Sequence, residues 1–206
     1  MNTDKDKITT PKILAVIPAK SESRRLTDKN ICMVYGKPML SWALIACNES
    51  RYKIETWLSS DSNEILKIGV QYGATPYKRD VKLCLDYVEK FLVIKDVITH
   101  INNIYPDDRK PQVVISLQPN SPQIRGEDLD RGIDLFLKSN KNEIFSVNSD
   151  LMQDGAFRIM KWDYVLRQET LSTQCGAIVC NLIDVHTPED INRVEAMQKN
   201  KDDILI

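Results

Sequence analysis

The stretch from Ile13 to Leu40, ILAVIPAKSESRRLTDKNICMVYGKPML, decides the fold. Lys12–Ile17 is a β-forming run without polar alternation, the pattern of a strand covered on both faces in a parallel sheet. The run ends at Pro18 in a polar loop that carries Lys20, Arg24, Arg25 and Lys29, with Ser21, Ser23, Thr27 and Asn30 between them. Ser, Thr and Asn compete with the backbone for hydrogen bonds and disfavour a helix interior, so the four cations belong to a loop and not to a solvated helix stripe. Flexible cations can wrap phosphate oxygens, and an arginine can clamp two at once. A buried strand that delivers such a loop at its carboxyl end suggests a nucleoside triphosphate held by side chains. No glycine lies between Pro18 and Asn30, which excludes G-x-x-x-x-G-K-[ST] and G-x-G-x-x-G.

Outward from this stretch, strand and helix patterns alternate. Pro38–Asn48 reads as a helix, with Pro38 in the first turn and Leu40, Ala43, Leu44 and Cys47 on one face. Ile54–Ser59 is a second strand. Ser62 caps a helix that Gly73 ends. Thr75–Tyr77 is a short strand, and Lys82–Ile104 is the longest helical pattern. After a turn over Tyr105–Pro111 come the buried strand Gln112–Leu117, the helix Glu127–Ser139 and the strand Glu143–Val147. Ala156–Met160 and Tyr164–Arg167 read as a pair of strands. Ile178–Val185 is apolar, and Thr187-Pro188-Glu189-Asp190 opens a last helix. This alternation predicts an α/β fold with a mainly parallel sheet and helices on both faces. Ligands of such sheets bind beyond the carboxyl ends of the strands. The polar segments Pro18–Asn30, Ser59–Asp61 and Gln118–Ser121 are therefore expected to converge.

The 206 residues suit a single domain, expected over 12–206, behind a polar, disordered lead-in over 1–11. A net charge of −1 gives no support to nucleic-acid or membrane-surface binding, so the basic loop is a local concentration of charge. No apolar run reaches the length of a membrane span, and the polar start has no signal-peptide core. Five scattered cysteines without metal-site spacing read as buried free thiols of a reducing cytoplasm. Trp42, Trp57 and Trp162 read as core residues.

The motifs resemble a known family. IPAK-x-x-S-R-x-L-x-x-KNI followed by GKPML-x-W is similar to the acylneuraminate (CMP-sialic acid) cytidylyltransferases. So are Ser59-Ser60-Asp61-Ser62, Leu117-Gln118-Pro119-Asn120-Ser121-Pro122, Asp154-Gly155-Ala156-Phe157 and Ile183-Asp184-Val185-His186-Thr187-Pro188-Glu189-Asp190, in order from about residue 12 to 195. The resemblance implies a Rossmann-like three-layer sandwich of the nucleotide-diphospho-sugar transferase type. It implies transfer of CMP from CTP to a nonulosonic (sialic-acid-like) sugar acid, with Mg2+ or Mn2+ as cofactor. Carried over by position, Lys20, Arg24, Lys29 and Asn30 grip the triphosphate, with Lys29 and Arg24 in the catalytic role. Ala19 and Ser23 add backbone contact or hydrogen bonds, and Arg79 is a nucleotide contact. Gln118 and Ser121 face the sugar, and Asp184 with His186 marks the metal position.

Three departures matter. The second metal-site aspartate of the family is His186 here. Ser146-Val147 reaches Gly155-Ala156 within a few residues, where family members carry several dozen that supply a dimer arm and part of the sugar pocket. The basic loop exchanges its lysine and arginine and adds Glu22. Either the sugar is bound differently, or the arm-mediated dimer is absent, or the acceptor site is gone; the oligomeric state is open, and a homodimer would have to form without that arm. The rival readings are a relative that binds nucleotide without turnover, and a nucleotidyltransferase for another sugar or cofactor.

Overall fold

The computed structural model describes residues 11–23, 25–167 and 174–202. The expected lead-in lies outside them except for Pro11. In chain order the elements are β1 (Ile13–Pro18), β2 (Met33–Val34), β3 (Lys37–Pro38), α1 (Met39–Glu49), β4 (Ile54–Ser60), α2 (Asn63–Gln71) and β5 (Thr75–Lys78). There follow α3 (Lys90–Ile104), β6 (Val113–Leu117), α4 (Gly126–Lys138), β7 (Glu143–Val147), β8 (Gln153–Lys161), α5 (Trp162–Arg167), β9 (Cys175–Val179) and α6 (Pro188–Asp202).

Among the described residues the main sheet has seven strands in the order β5-β4-β1-β6-β8-β7-β9. β1 pairs in parallel with β4 and with β6, β4 with β5, and β7 with β9. β8 runs antiparallel to both its neighbours. The expected mainly parallel α/β sheet is present, and β1 sits inside it, buried from Ile13 to Ile17.

The continuous apolar run of β1 supplies both faces of the sheet. Ile13, Ala15 and Ile17 pack with Leu58, Phe157 and Ile159 under residues of α1, α2 and α4. Leu14 and Val16 pack with Trp57, Val114 and Met160 under Ile94, Val97, Ile98 and Ile101 of α3 and Val165 of α5. Burial of each large side chain is worth about 1.5–3 kcal/mol, so these two layers carry most of the folding energy. Gly126 lets the start of α4 abut the end of α1: a Cβ there would come within 2.7 Å of the Glu49 backbone.

The helix starts follow local chemistry. Ser62 accepts from the Ile65 amide to cap α2. At α6, Asp190 accepts from the amides of Thr187 and His186, and its own amide donates to Thr187 Oγ1, a reciprocal cap.

Three expectations are corrected. The long helix predicted over Lys82–Ile104 begins at Lys90; before it stands a 3-10 turn over Val81–Cys84, capped by Asp80 accepting from Lys82 N. Leu83, Leu85 and Val88 continue the helical spacing but line a cleft instead of the core. The second strand predicted over Tyr164–Arg167 is helical, because Trp162 and Val165 pack on the α3 layer and packing overrides β-propensity. All five cysteines are free as expected, but Cys47 alone is buried and the other four are half-buried.

Candidate active site

The loop after β1 turns back across the carboxyl edge of the sheet and is tied there. Ala19 N donates to Ser59 O at 2.9 Å, joining the ends of β1 and β4. Ser21 N donates to Asp61 Oδ1 at 2.8 Å, and Ser21 Oγ bonds Asp61 Oδ2 at 2.5 Å. Asn30 Nδ2 closes the loop on Lys20 O at 2.8 Å. The three polar segments therefore meet at one edge.

They surround a cleft of about 220 Å³. Lys20, Glu22, Ser23, Lys29, Asn30, Arg79, Gln118 and Asn120 line its polar side, and Leu83, Val88 and Val93 its apolar side. Ala19 lies buried behind it. Arg24 is outside the described residues. Ser121 is buried and outside the cleft lining, and its Oγ has no hydrogen-bond partner among the described residues.

Each side chain is set by its neighbours. Arg79 is 5% exposed; its guanidinium donates to Ser59 O at 2.7 Å and to Ser59 Oγ at 3.1 Å. Burial pulls its pKa down, partly opposed by Cys84 and Asp61. Lys20 pairs with Asp86 at 2.6 Å across the cleft. Burial lowers the Lys29 pKa, Arg25 and Lys20 add to that, and Asp184 opposes it. Asn30 is 5% exposed and its Oδ1 is a buried acceptor without a partner among the described residues. Gln118 Nε2 donates to Gly155 O, which the open backbone of Gly155 at φ +74° allows; a Cβ there would meet Gln118 Nε2 at 2.5 Å.

At the far end, Asp184 Oδ1 accepts from Asn120 Nδ2, and Asp184 Oδ2 is 2.9 Å from His186 Nε2. Burial pushes the Asp184 carboxyl up; His186, Lys29 and Lys90 pull it back. Among the described residues no group of three or more His, Cys, Asp or Glu side chains is placed to share a metal ion. One carboxylate with both oxygens engaged, one imidazole and nearby ammonium groups do not fit a protein-held hard divalent ion, which prefers free oxygen ligands. As the short spacing from Ser146-Val147 to Gly155-Ala156 implies, β7 and β8 are joined by a tight turn over Asn148–Met152, in which Asn148 Oδ1 accepts from the amides of Asp150 and Met152.

Lys90 is the residue that the sequence reading missed. It enters the cleft from the first turn of α3. Its pKa is lowered to about 8, by burial first and by Arg158 and Lys29 next, with Asp184 opposing. The sequence hid its place, because the apolar period runs back to Leu83 and puts Lys90 inside an apparent helix, whereas α3 starts at Lys90.

The sheet order defines a Rossmann-like α/β fold with a cation-lined cleft at the carboxyl edge of its strands. The chain belongs to the cytidylyltransferase family, whose model matches residues 14–174. It is 33% identical over 134 residues to the CMP-N,N'-diacetyllegionaminic acid synthase of Legionella pneumophila, covering 65% of this chain and 56% of that protein. It is 30% identical over 139 residues to a pseudaminic acid cytidylyltransferase of Campylobacter jejuni, covering 66% and 57%. The chain thus spans a little over half the length of these two relatives. Its fold is similar to that of CMP:2-keto-3-deoxy-manno-octonic acid synthetase complexed with CTP, at a TM-score of 0.72 and 15% identity, covering 92% of this chain and 99% of that one.

Proposed function

We propose that this chain is a cytidylyltransferase that activates a nonulosonic, sialic-acid-like sugar acid with CTP, giving the CMP-sugar and pyrophosphate. The carrying observation is the cleft at the strand ends, whose lining brings together Lys20, Lys29, Asn30, Arg79 and Gln118, the residues to which the family resemblance gives nucleotide and sugar roles. The names of the two curated relatives support the substrate class.

In this reading the triphosphate lies along Lys20, Arg24 and Lys29, and the cytosine end packs toward Leu83 and Val88. The buried Asn30 Oδ1 accepts from a hydroxyl or amino group of the nucleotide. An oxygen of the sugar attacks the α-phosphorus; the new P–O bond forms as the bond to the bridging oxygen breaks, pyrophosphate leaves, and the sugar hydroxyl proton passes to solvent. No covalent enzyme intermediate is needed. The lysines hold the phosphates in line and offset charge that grows on the leaving group. Gln118, fixed by Gly155, orients the acceptor, while Ser121 lies buried outside the cleft lining. Magnesium or manganese enters as the counter-ion of CTP, as part of the substrate.

Among the described residues no helix is long and apolar enough to cross a membrane. The free thiols fit a reducing compartment, and we place the reaction in the cytoplasm. A homodimer, if formed, uses another surface than an arm between β7 and β8.

The test is pyrophosphate release from each of four nucleoside triphosphates, with a panel of nonulosonic acids and of neutral sugars. Turnover is expected with CTP and an acidic acceptor. Nucleotide binding without turnover for any acceptor would reject the catalytic reading.

A further inference from the structure

The far end of the cleft disagrees with a metal site. Among the described residues the carboxylate beside Asn120 and His186 is Asp184. Asn120 covers Oδ1 and His186 engages Oδ2. Asn120, not Asp184, is the residue that lines the cleft. A divalent ion bound there would lose ligand oxygens to two protein donors and would take an imidazole as neighbour.

Positive charge is already present at this place. Lys29 comes from the loop after β1 and Lys90 from the start of α3, and both line the cleft. Each is close enough to Asp184, and to the other, for their charges to interact. Arg158 of β8 adds a third charge beside Lys90. It is not free to replace Lys90, because its guanidinium is held by Glu143 at 3.2 Å and Gln153 at 3.1 Å. The first turn of α3 contains no acid, and Glu89 makes no side-chain cap. Two ammonium groups face one engaged carboxylate, which leaves this end of the cleft net positive; burial is the first cause of the lowered pKa of both lysines.

We propose that Lys29 and Lys90 together supply, from the protein itself, the positive charge that a resident divalent cation would supply, so that nucleotide binding in this cleft does not require a metal. The proposal rests on the reading that the cleft takes a nucleoside triphosphate. It makes Lys90 a binding residue of this chain and leaves Asp184 and His186 as the pair that positions Lys29 and Asn120.

The test is titration calorimetry of the full chain with CTP, UTP and ATP, in EDTA and then in excess magnesium. Wild type is expected to bind CTP in EDTA within about threefold of its affinity in magnesium. Lys90→Gln should lose about tenfold in EDTA and recover most of it with magnesium, while Lys90→Arg should stay near wild type. Circular dichroism and melting of each variant separate a folding defect from lost charge. Binding of CTP that appears only with magnesium, or Lys90→Gln equal to wild type in EDTA, overturns the proposal and leaves the cytidylyltransferase reading standing. Metal-free binding of UTP or ATP as tight as CTP, still lost in Lys90→Gln, supports the lysines and removes the cytidine reading. No binding under any condition removes both.

Discussion

The two ends of one cleft are built differently. At the loop end, Lys20, Ser21 and Asn30 follow a buried strand and are pinned by Asp86, Asp61 and the Lys20 carbonyl, and Ser23 and Lys29 line the cleft beside them. At the other end, Asp184 is drawn into hydrogen bonds with Asn120 and His186, and the chain between β7 and β8 is a five-residue turn, Asn148–Met152. The first end offers donors to a ligand, while the second spends its carboxylate on the protein. A family fold can therefore keep a cationic loop at one end of a cleft while the charge balance opposite is reset by a few residues.

The largest effect expected from breaking this contrast is at the loop end. Lys29→Met removes a cation from a partly desolvated site and should cost about 100-fold in CTP affinity, with little change in melting temperature. Loss of less than about threefold in a titration would show that the triphosphate lies elsewhere. Gly155→Ala acts between the ends. Alanine at φ +74° is strained by about 1–2 kcal/mol and its Cβ displaces Gln118. Chemical denaturation should report that loss, and the KM for the acceptor should rise more than the KM for CTP. His186→Asp sharpens the comparison from the far side. A second carboxylate beside Asp184 should make CTP affinity respond to magnesium about tenfold more than in wild type. A magnesium response unchanged from wild type would show that His186 does not set the charge balance.

The smallest effect is structural. Asp190 has its carboxyl pKa held down mainly by the His186 and Thr187 amides. Its folded value lies below the unfolded one, so the stabilisation is present above about pH 4 and is lost as pH falls through the lower folded value. Asp190→Asn should cost about 1 kcal/mol at neutral pH, and the gap to wild type should narrow below about pH 4 in melting experiments.

The sheet and the loop end were legible because their chemistry is local in sequence. A covered strand, an abrupt Pro18, four cations and a lack of glycine stand within about twenty residues, and the strand ends that join them are fixed by topology. Lys90 was not legible. Leu83, Leu85 and Val88 extend the helical period of α3 backwards, so its first turn fell inside an apparent helix. Those apolar residues serve the cleft, and periodicity alone does not separate a core face from a cleft wall. The ion pair of Lys20 with Asp86 was hidden for the same reason, since it joins residues 66 apart. Val165 looked like a strand residue and became helical through contact with α3, a tertiary effect.

A crystal structure of the chain with CTP tests the account most directly. The triphosphate should lie against Lys20, Lys29 and Asn30 with Lys90 within hydrogen-bonding reach of a phosphate oxygen. A triphosphate placed outside this cleft, or held at Asp184 through a metal ion with Lys90 turned away, would contradict it.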